Sequence, residues 1–379
     1  MCVMMHDRRA TWLVEIQALR GLAVLGVIVH HAYGNLLIQP HRALDWLHAH
    51  LDYWGGVDLF FAISGFVIAR ALLPALAACT TRRETMSVIF EFWIRRAARL
   101  WPSAWLWLAI ILAASILFNT THLFGPVQAN IWATICGVFN VANIRFSQAF
   151  MRYDYGASFA WWSLSLEEQF YLLLPLAAWL TGRALPFLLV AVVAYQFPFV
   201  RGILGMSFRT DAIAMGVLLA IMEGSAAWRV AARQINPAPR WLMAVAVLAL
   251  FAALGTFGTE PWTHFRFRIG FIALISVVLV FLAAQDTGRL LGEGRLRKVL
   301  VWIGARSYGL YLIHIPAMFA TREAWARLGG ANDYLQLVTA AALMLLLAEA
   351  NWRWVEQPFR RRGTRAASRL LPQPAFSGI

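Results

Sequence analysis

The residues best placed to do chemistry lie in Glu15 to Tyr33, EIQALRGLAVLGVIVHHAY. This apolar stretch is long enough to cross a bilayer, yet it carries Arg20, His30 and His31. Ionisable groups inside a membrane helix cost a few kcal/mol or more and mark functional candidates. At 3.6 residues per turn, the eleven positions from Arg20 to His31 make ~1100°, within ~20° of one face, with a rise of ~16 Å. His30 points ~80° off that line. One helix face therefore carries a guanidinium near its start and an imidazole roughly halfway through the hydrocarbon. The plain alternative is an anchoring Arg at the surface and a packed, hydrogen-bonded His.

Other polar groups interrupt apolar runs. WWSLSLEEQFYLLLP places Glu167 and Glu168 within a helix, with Tyr171 one turn beyond Glu167. Adjacent buried acids must be paired, protonated or facing a wet cavity. FWIRRAARLWP is a basic helix just before an apolar span. Arg95 and Arg99 share a face at i, i+4 and Arg96 flanks them, so the segment reads either as a membrane anchor or as a grip for phosphate. Asp58, just inside the second apolar run, is suited to capping, to cation binding, to pairing with an Arg or to orienting a His. RTDAIAMG puts Arg209 and Asp211 at a membrane edge, to pair with the buried acids or to stay interfacial. IGARSYGLYLIHIP brings Tyr311 and His314, adjacent at i, i+3; taken alone, His314 reads as a packing histidine. His41, His48, His50, Asp45 and Asp52 cluster in one loop without a recognised ligand spacing, so no metal site is assigned.

The elements that position these groups follow from composition. Of 379 residues, 60% are hydrophobic and 14% charged, with mean hydropathy +0.62. Globular domains carry about 25% charged residues, so this is an all-α polytopic membrane protein. Net charge +14 comes from arginines (Lys298 is the single lysine) lying between apolar segments. That is a topological use of charge rather than a nucleic-acid footprint. Cys2, Cys79 and Cys136 show no disulfide or metal spacing. The first helix lacks a small-residue cleavage site and is expected to be retained.

Ten apolar segments are expected to span: 16–37, 56–78, 101–118, 163–181, 184–200, 209–223, 240–257, 268–284, 300–320 and 334–354. Segment 128–142, with two Asn and a Gly, reads as re-entrant or interfacial. With the N-terminus in the cytoplasm this count places roughly twenty basic residues inside, from Arg8, Arg9 and Arg82 through Arg289 to Arg369, and about nine outside. Both termini are then cytoplasmic. PHRALDWLHAHLDYW, beginning at Pro40, reads as a helix lying on the outer surface. Residues 119–160 form the longest outer loop, and loops of that length are usually functional or disordered. Residues 1–359 read as one membrane domain and 360–379 as a basic cytoplasmic tail, with no soluble domain.

In this order, LRGLAVLGVIVHH, GGVDLFFAISGF, FWIRRAARLWP, WSLSLEEQFYLLLP, RTDAIAMG, IGARSYGLYLIHIP and EQPFR resemble the acyltransferase-3 family of integral membrane O-acyltransferases, from about Ile16 to Arg360. The resemblance implies a ten-helix core, an acyl-CoA donor (commonly acetyl-CoA), a carbohydrate hydroxyl as acceptor and a place in the bacterial inner membrane. Members modify O-antigen, exopolysaccharide, peptidoglycan, Nod factors or macrolide sugars, and some carry a fused esterase-like domain that this chain is not expected to contain. Carried over by position, the family's Arg/His signature falls on Arg20 and His31, and its carboxylate on Glu167. His30 is an extra histidine that leaves open which imidazole acts.

The chemistry follows. A sugar hydroxyl is a poor nucleophile until a base takes its proton, and imidazole has the suitable unperturbed pKa. His31 is expected to be that base or a transient acyl carrier. Arg20 would hold donor phosphate or polarise the thioester carbonyl, and Arg95, Arg96 and Arg99 would hold the CoA phosphates. Glu167 would orient His31 or the sugar, and Asp58, Tyr171, Arg209, Asp211, Tyr311 and His314 are supporting residues. Expected partners are the acceptor, acyl-CoA, membrane lipids and a second copy or glycan-assembly machinery. The rival readings are a transporter or flippase of a lipid-linked saccharide, which lacks the expected inverted repeat, and a non-catalytic scaffold.

Overall fold

The computed structural model describes residues 13–39, 42–235, 237–288, 292 and 294–369. Cys2, Arg8, Arg9, Pro40, His41, Arg289 and the tail beyond residue 369 lie outside the described residues. The described elements are helices joined by turns. Seven are long and apolar enough to cross a membrane: Val14–Asn35, Tyr53–Ala77, Arg82–Leu117, Trp161–Gln196, Ile203–Met222, Arg240–Gly258 and Asp333–Ser368. Arg268–Ala284 and Val127–Val138 are shorter apolar helices. This is a multi-pass membrane protein, and a count near ten is approximate because several of its helices fall below the ~20 residues that span unaided.

Helix α1 (Val14–Asn35) carries Arg20 and His31. After the short α2 (Arg42–His50) come α3 (Gly56–Ala77) and α4 (Arg82–Leu117). A capping box starts α4: Thr81 Oγ1 accepts from Glu84 N–H at 3.2 Å, and Glu84 accepts from Thr81 N–H at 3.2 Å. The helix then runs unbroken through Pro102 for 36 residues, a rise of ~54 Å. That exceeds the ~30 Å hydrocarbon core, so the basic segment and the third span are one rod.

Helices α5 (Val127–Val138) and α6 (Ala142–Ala149) follow. The twelve residues of α5 rise only ~18 Å, too little to span. The chain continues through α7 (Trp161–Thr181), α8 (Leu185–Gln196), α9 (Ile203–Ser207), α10 (Asp211–Met222), α11 (Ala226–Ile235), α12 (Arg240–Gly258) and α13 (Arg268–Ala284). It closes with α14 (Arg295–Ala305), α15 (Ser307–Arg327), α16 (Asp333–Asn351), a π-helical turn (Trp352–Glu356) and α17 (Gln357–Ser368).

Small residues let backbones meet. A Cβ on Gly65 of α3 would stand 2.1 Å from Ile213 O of α10, and one on Gly216 would stand 2.2 Å from Ala62 O. These reciprocal contacts lock the two helices together. The largest core cluster includes Val27 of α1, Phe61 of α3, Trp107 of α4, Trp161 of α7, Ile213 of α10 and Leu312 of α15.

The structure corrects the single span expected over 300–320. It divides into α14 and α15 at Arg306. Gly304 presses on the Gln17 backbone of α1, while the Arg306 guanidinium pairs with Glu349 and lies 4.1 Å from the Trp302 ring. Both partners are distant in sequence or lie on another face, and an unbroken apolar pattern does not reveal them.

Candidate active site

Five helices, α1, α3, α4, α7 and α15, enclose a cavity lined by Arg20, Ser64, Arg96, Arg99, Glu167, Tyr171, Tyr308 and Tyr311, among others. Its water-sized space is about 70 Å³, a slot with room for only a few waters. Arg20, Arg96 and Arg99 thus meet from two helices, as far apart in sequence as the first and third spans.

The fate of Arg95 corrects the grouping read from spacing. Its side chain is 43% exposed and pairs with Glu91 one turn back, whereas Arg96 turns inward, 5.3 Å above the Tyr171 ring. The i, i+4 rule identifies residues on one face but not which face is covered. Glu167 does not reach His31 either. It accepts a hydrogen bond from the Tyr171 hydroxyl, which in turn lies 2.5 Å from Ser64 Oγ. Because the Tyr171 proton goes to the carboxylate, Ser64 is the donor to Tyr171. Glu168 accepts from Trp101 Nε1 at 3.3 Å.

His31 lies near the C-terminal end of α1, whose backbone breaks two residues further on: Tyr33 has ψ 126° and Gly34 φ 77°. His31 Nδ1 is 3.0 Å from Val27 O and 3.2 Å from His314 Nε2. His314, fully buried, has Nδ1 2.6 Å from Tyr311 O. A carbonyl can only accept, so His314 Nδ1 carries the proton and its Nε2 is a lone pair. His31 Nδ1 then faces two acceptors and must be the protonated nitrogen. In the neutral ring that fixes the tautomer and leaves His31 Nε2 with its lone pair to accept a proton. Tyr311 links the two ends of the site: it lines the arginine cavity, and its ring is 5.5 Å from that of His314. Its hydroxyl is held by Ser163 Oγ at 2.6 Å.

His30, beside His31 with ring centroids 4.7 Å apart, has its Nδ1 engaged by Asp52. His48 stacks on Tyr33 at 4.0 Å and His50 on Trp46 at 4.4 Å. Among the described residues no group of three or more His, Cys, Asp or Glu side chains is placed to hold a metal ion.

Arg209 and Asp211 take partners other than the acids of α7. Arg209 donates through Nε to Asp58 Oδ1 at 2.8 Å and through Nη2 to Oδ2 at 3.0 Å, a bidentate pair with both residues buried. Its guanidinium lies 4.7 Å from the Trp162 ring. Asp211 accepts from Arg201 at 2.6 and 3.2 Å. Asp58 is thereby committed to an Arg, which leaves it neither cation nor histidine to serve. Ser64, Ser163, Tyr308 and the His30–Asp52 pair carry no sequence signal of their contacts, because each partner lies on another element.

A family model described as an acyltransferase domain matches residues 13–348. This chain belongs to the acyltransferase-3 family. It is similar to the O-acetyltransferase OatA of Staphylococcus aureus (strain NCTC 8325 / PS 47), 26% identical over 96% of this chain and 59% of the relative. It is also similar to the peptidoglycan O-acetyltransferase OatA of Listeria monocytogenes serovar 1/2a, 28% identical over 92% of this chain and 56% of the relative. The chain thus spans a little over half the length of these relatives. No solved structure matches it. For an acyltransferase-3 protein, the arrangement of a fixed imidazole at one end of α1 and a guanidinium-rich slot nearer the other divides the molecule into two chemically distinct ends.

Proposed function

We propose that this chain is a membrane O-acyltransferase that moves an acyl group, acetyl foremost, from acyl-CoA to a hydroxyl of a cell-wall glycan, with His31 as the base. The similarity to O-acetyltransferases motivates the acetyl group, and the Listeria relative, a peptidoglycan O-acetyltransferase, the peptidoglycan acceptor. The observation that carries the reading is the hydrogen-bond chain from Tyr311 O through His314 to His31, since it holds the His31 tautomer with Nε2 unprotonated. In that state the imidazole takes the hydroxyl proton as the oxygen attacks the thioester carbonyl. The C–S bond breaks, and the proton passes from the imidazolium to the departing CoA sulfur.

Arg20 stands ~16 Å from His31 along α1, too far to polarise a carbonyl at the imidazole. It is better suited, with Arg96 and Arg99, to the phosphates of the donor, whose long pantetheine arm would cover the interval past Tyr311. Guanidiniums grip phosphate oxygens bidentately. The slot has to widen for that arm to enter. Glu167 and Ser64, joined through Tyr171, hold the wall of the slot. The arginine end faces the cytoplasm in this reading, with both termini on that side of the inner membrane. A second copy of the chain or glycan-assembly proteins would be its partners.

The test is transfer of a radiolabelled acetyl group from acetyl-CoA to peptidoglycan glycan strands by the protein in nanodiscs. His31→Ala is expected to lower the rate at least ~100-fold, the scale of a lost general base, while leaving insertion and thermal unfolding unchanged. Transfer at the wild-type rate by that variant contradicts the assignment.

A further inference from the structure

Phe159, beside His31, borders a second cavity that the proposed reaction does not use. This cavity occupies about 740 Å³, within the range of ligand sites, and is lined by His122, Phe150, Tyr153, Asp154, Tyr155 and Phe159, among others. Phe159 is common to both sites: it lines the groove, and its ring centroid is 5.6 Å from that of His31. A molecule seated in the groove is therefore one aromatic ring away from the imidazole.

The groove is built rather than left over. Apart from Phe319 of α15, its lining comes from residues 119–160, which are pinned at several points. Asn130 Nδ2 donates to Phe124 O at 2.7 Å, and its Oδ1 accepts from Ala157 N–H at 3.0 Å. Glu323 accepts from the N–H groups of Thr120 and Thr121 at 2.7 and 2.8 Å, which ties the loop to α15, the helix that carries His314. Arg145 lies 5.2 Å from the Tyr155 ring and 5.6 Å from the Tyr153 ring. Two non-glycine residues of the lining, His122 (φ 60°) and Met151 (φ 59°), adopt the left-handed region. Non-glycine residues adopt such conformations rarely, and they cluster at ligand sites.

We infer that this groove is the acceptor subsite, gripping the sugar rings on either side of the hydroxyl to be acylated. The inference rests on the acyl-transfer reading above. A pyranose presents a C–H face that packs on aromatic rings and an edge of hydroxyls. The groove offers Phe150 (44% exposed) and Tyr153 (51% exposed) for the first and the exposed Asp154 and His122 for the second. An acyl chain of a lipid needs only the apolar part and gains nothing from the carboxylate and imidazole at the rim. Most of the groove is built from the segment that follows α4, after Leu117, rather than from the long helices.

The test measures binding of a peptidoglycan-derived tetrasaccharide, without donor, to the full chain in nanodiscs, alongside acetyl transfer from acetyl-CoA. The double variant Phe150→Ala/Tyr153→Ala is expected to weaken tetrasaccharide binding and raise acceptor KM at least ~10-fold, the scale of a lost aromatic contact. The KM for acetyl-CoA and the thermal unfolding midpoint should stay unchanged. Phe150→Trp/Tyr153→Phe, which keeps both rings, should restore binding. Unchanged tetrasaccharide binding in the double variant overturns the subsite even where wild-type transfer is robust. Loss of a co-purifying phospholipid with sugar binding intact overturns it in favour of a lipid groove. Absence of transfer by the wild type sinks the acyl-transfer reading instead, and the binding arm still decides the groove.

Discussion

Two clusters of charge lie within this helical bundle and are built on opposite principles. Around Asp58, every charge is matched: Arg209 takes both oxygens of Asp58, and Arg201 takes both of Asp211. In the slot beside Arg20, three guanidiniums share the lining with one carboxylate, Glu167, which already accepts from Tyr171. Both clusters sit where charge is expensive, but only the first balances itself. A matched buried pair holds helices in register, whereas an excess of one sign is suited to an ion of the other sign that arrives with a ligand.

The sharpest way to break that distinction is to unmatch the first cluster. Arg209→Ala leaves the Asp58 carboxylate buried and unpaired, which costs about 3–5 kcal/mol. Thermal unfolding in detergent should show a large drop in midpoint and little inserted protein. Normal stability in that variant would remove the structural reading. Arg96→Gln with Arg99→Gln should do the reverse, because these side chains repel one another in the folded chain. We expect an unchanged or raised unfolding midpoint together with a rise of about 10–100-fold in KM for acetyl-CoA, given charge-assisted contacts of about 1.5–3 kcal/mol. An unchanged KM assigns the excess charge to topology alone. Arg95→Gln is the smallest effect and the control. Its exposed pair with Glu91 is worth about 0–1 kcal/mol, so stability should fall by no more than about 1 kcal/mol, with donor KM unchanged.

Much of the architecture could be read from the chain, because hydropathy and helical period are local properties. Nine of the apolar segments correspond to one helix each, and the segment at 300–320 divides at Arg306 for a reason that lies in Glu349 and Gln17. The Arg20-to-His31 spacing was also local. Choice of partner was not. Arg209 had Glu167, Glu168 and Asp58 within its chemical reach, and only the packing of α3 on α10 brings Asp58 to it. Helical spacing grouped Arg95 with Arg99, but burial selected Arg96. His314 looked like a packing residue in its own helix; its partner His31 is 283 positions away, and no window of sequence contains both.

The central claim is that one donor molecule is held by its phosphates at the arginine slot while its acyl group lies at His31. Photolabelling with a CoA thioester whose acyl chain carries a diazirine, followed by peptide mapping, tests it most directly. The label is expected on the segments around His31, Phe159 and His314, and Arg96→Gln/Arg99→Gln should abolish it. Label confined to the lining of the arginine slot, or unaffected by that double variant, contradicts the claim.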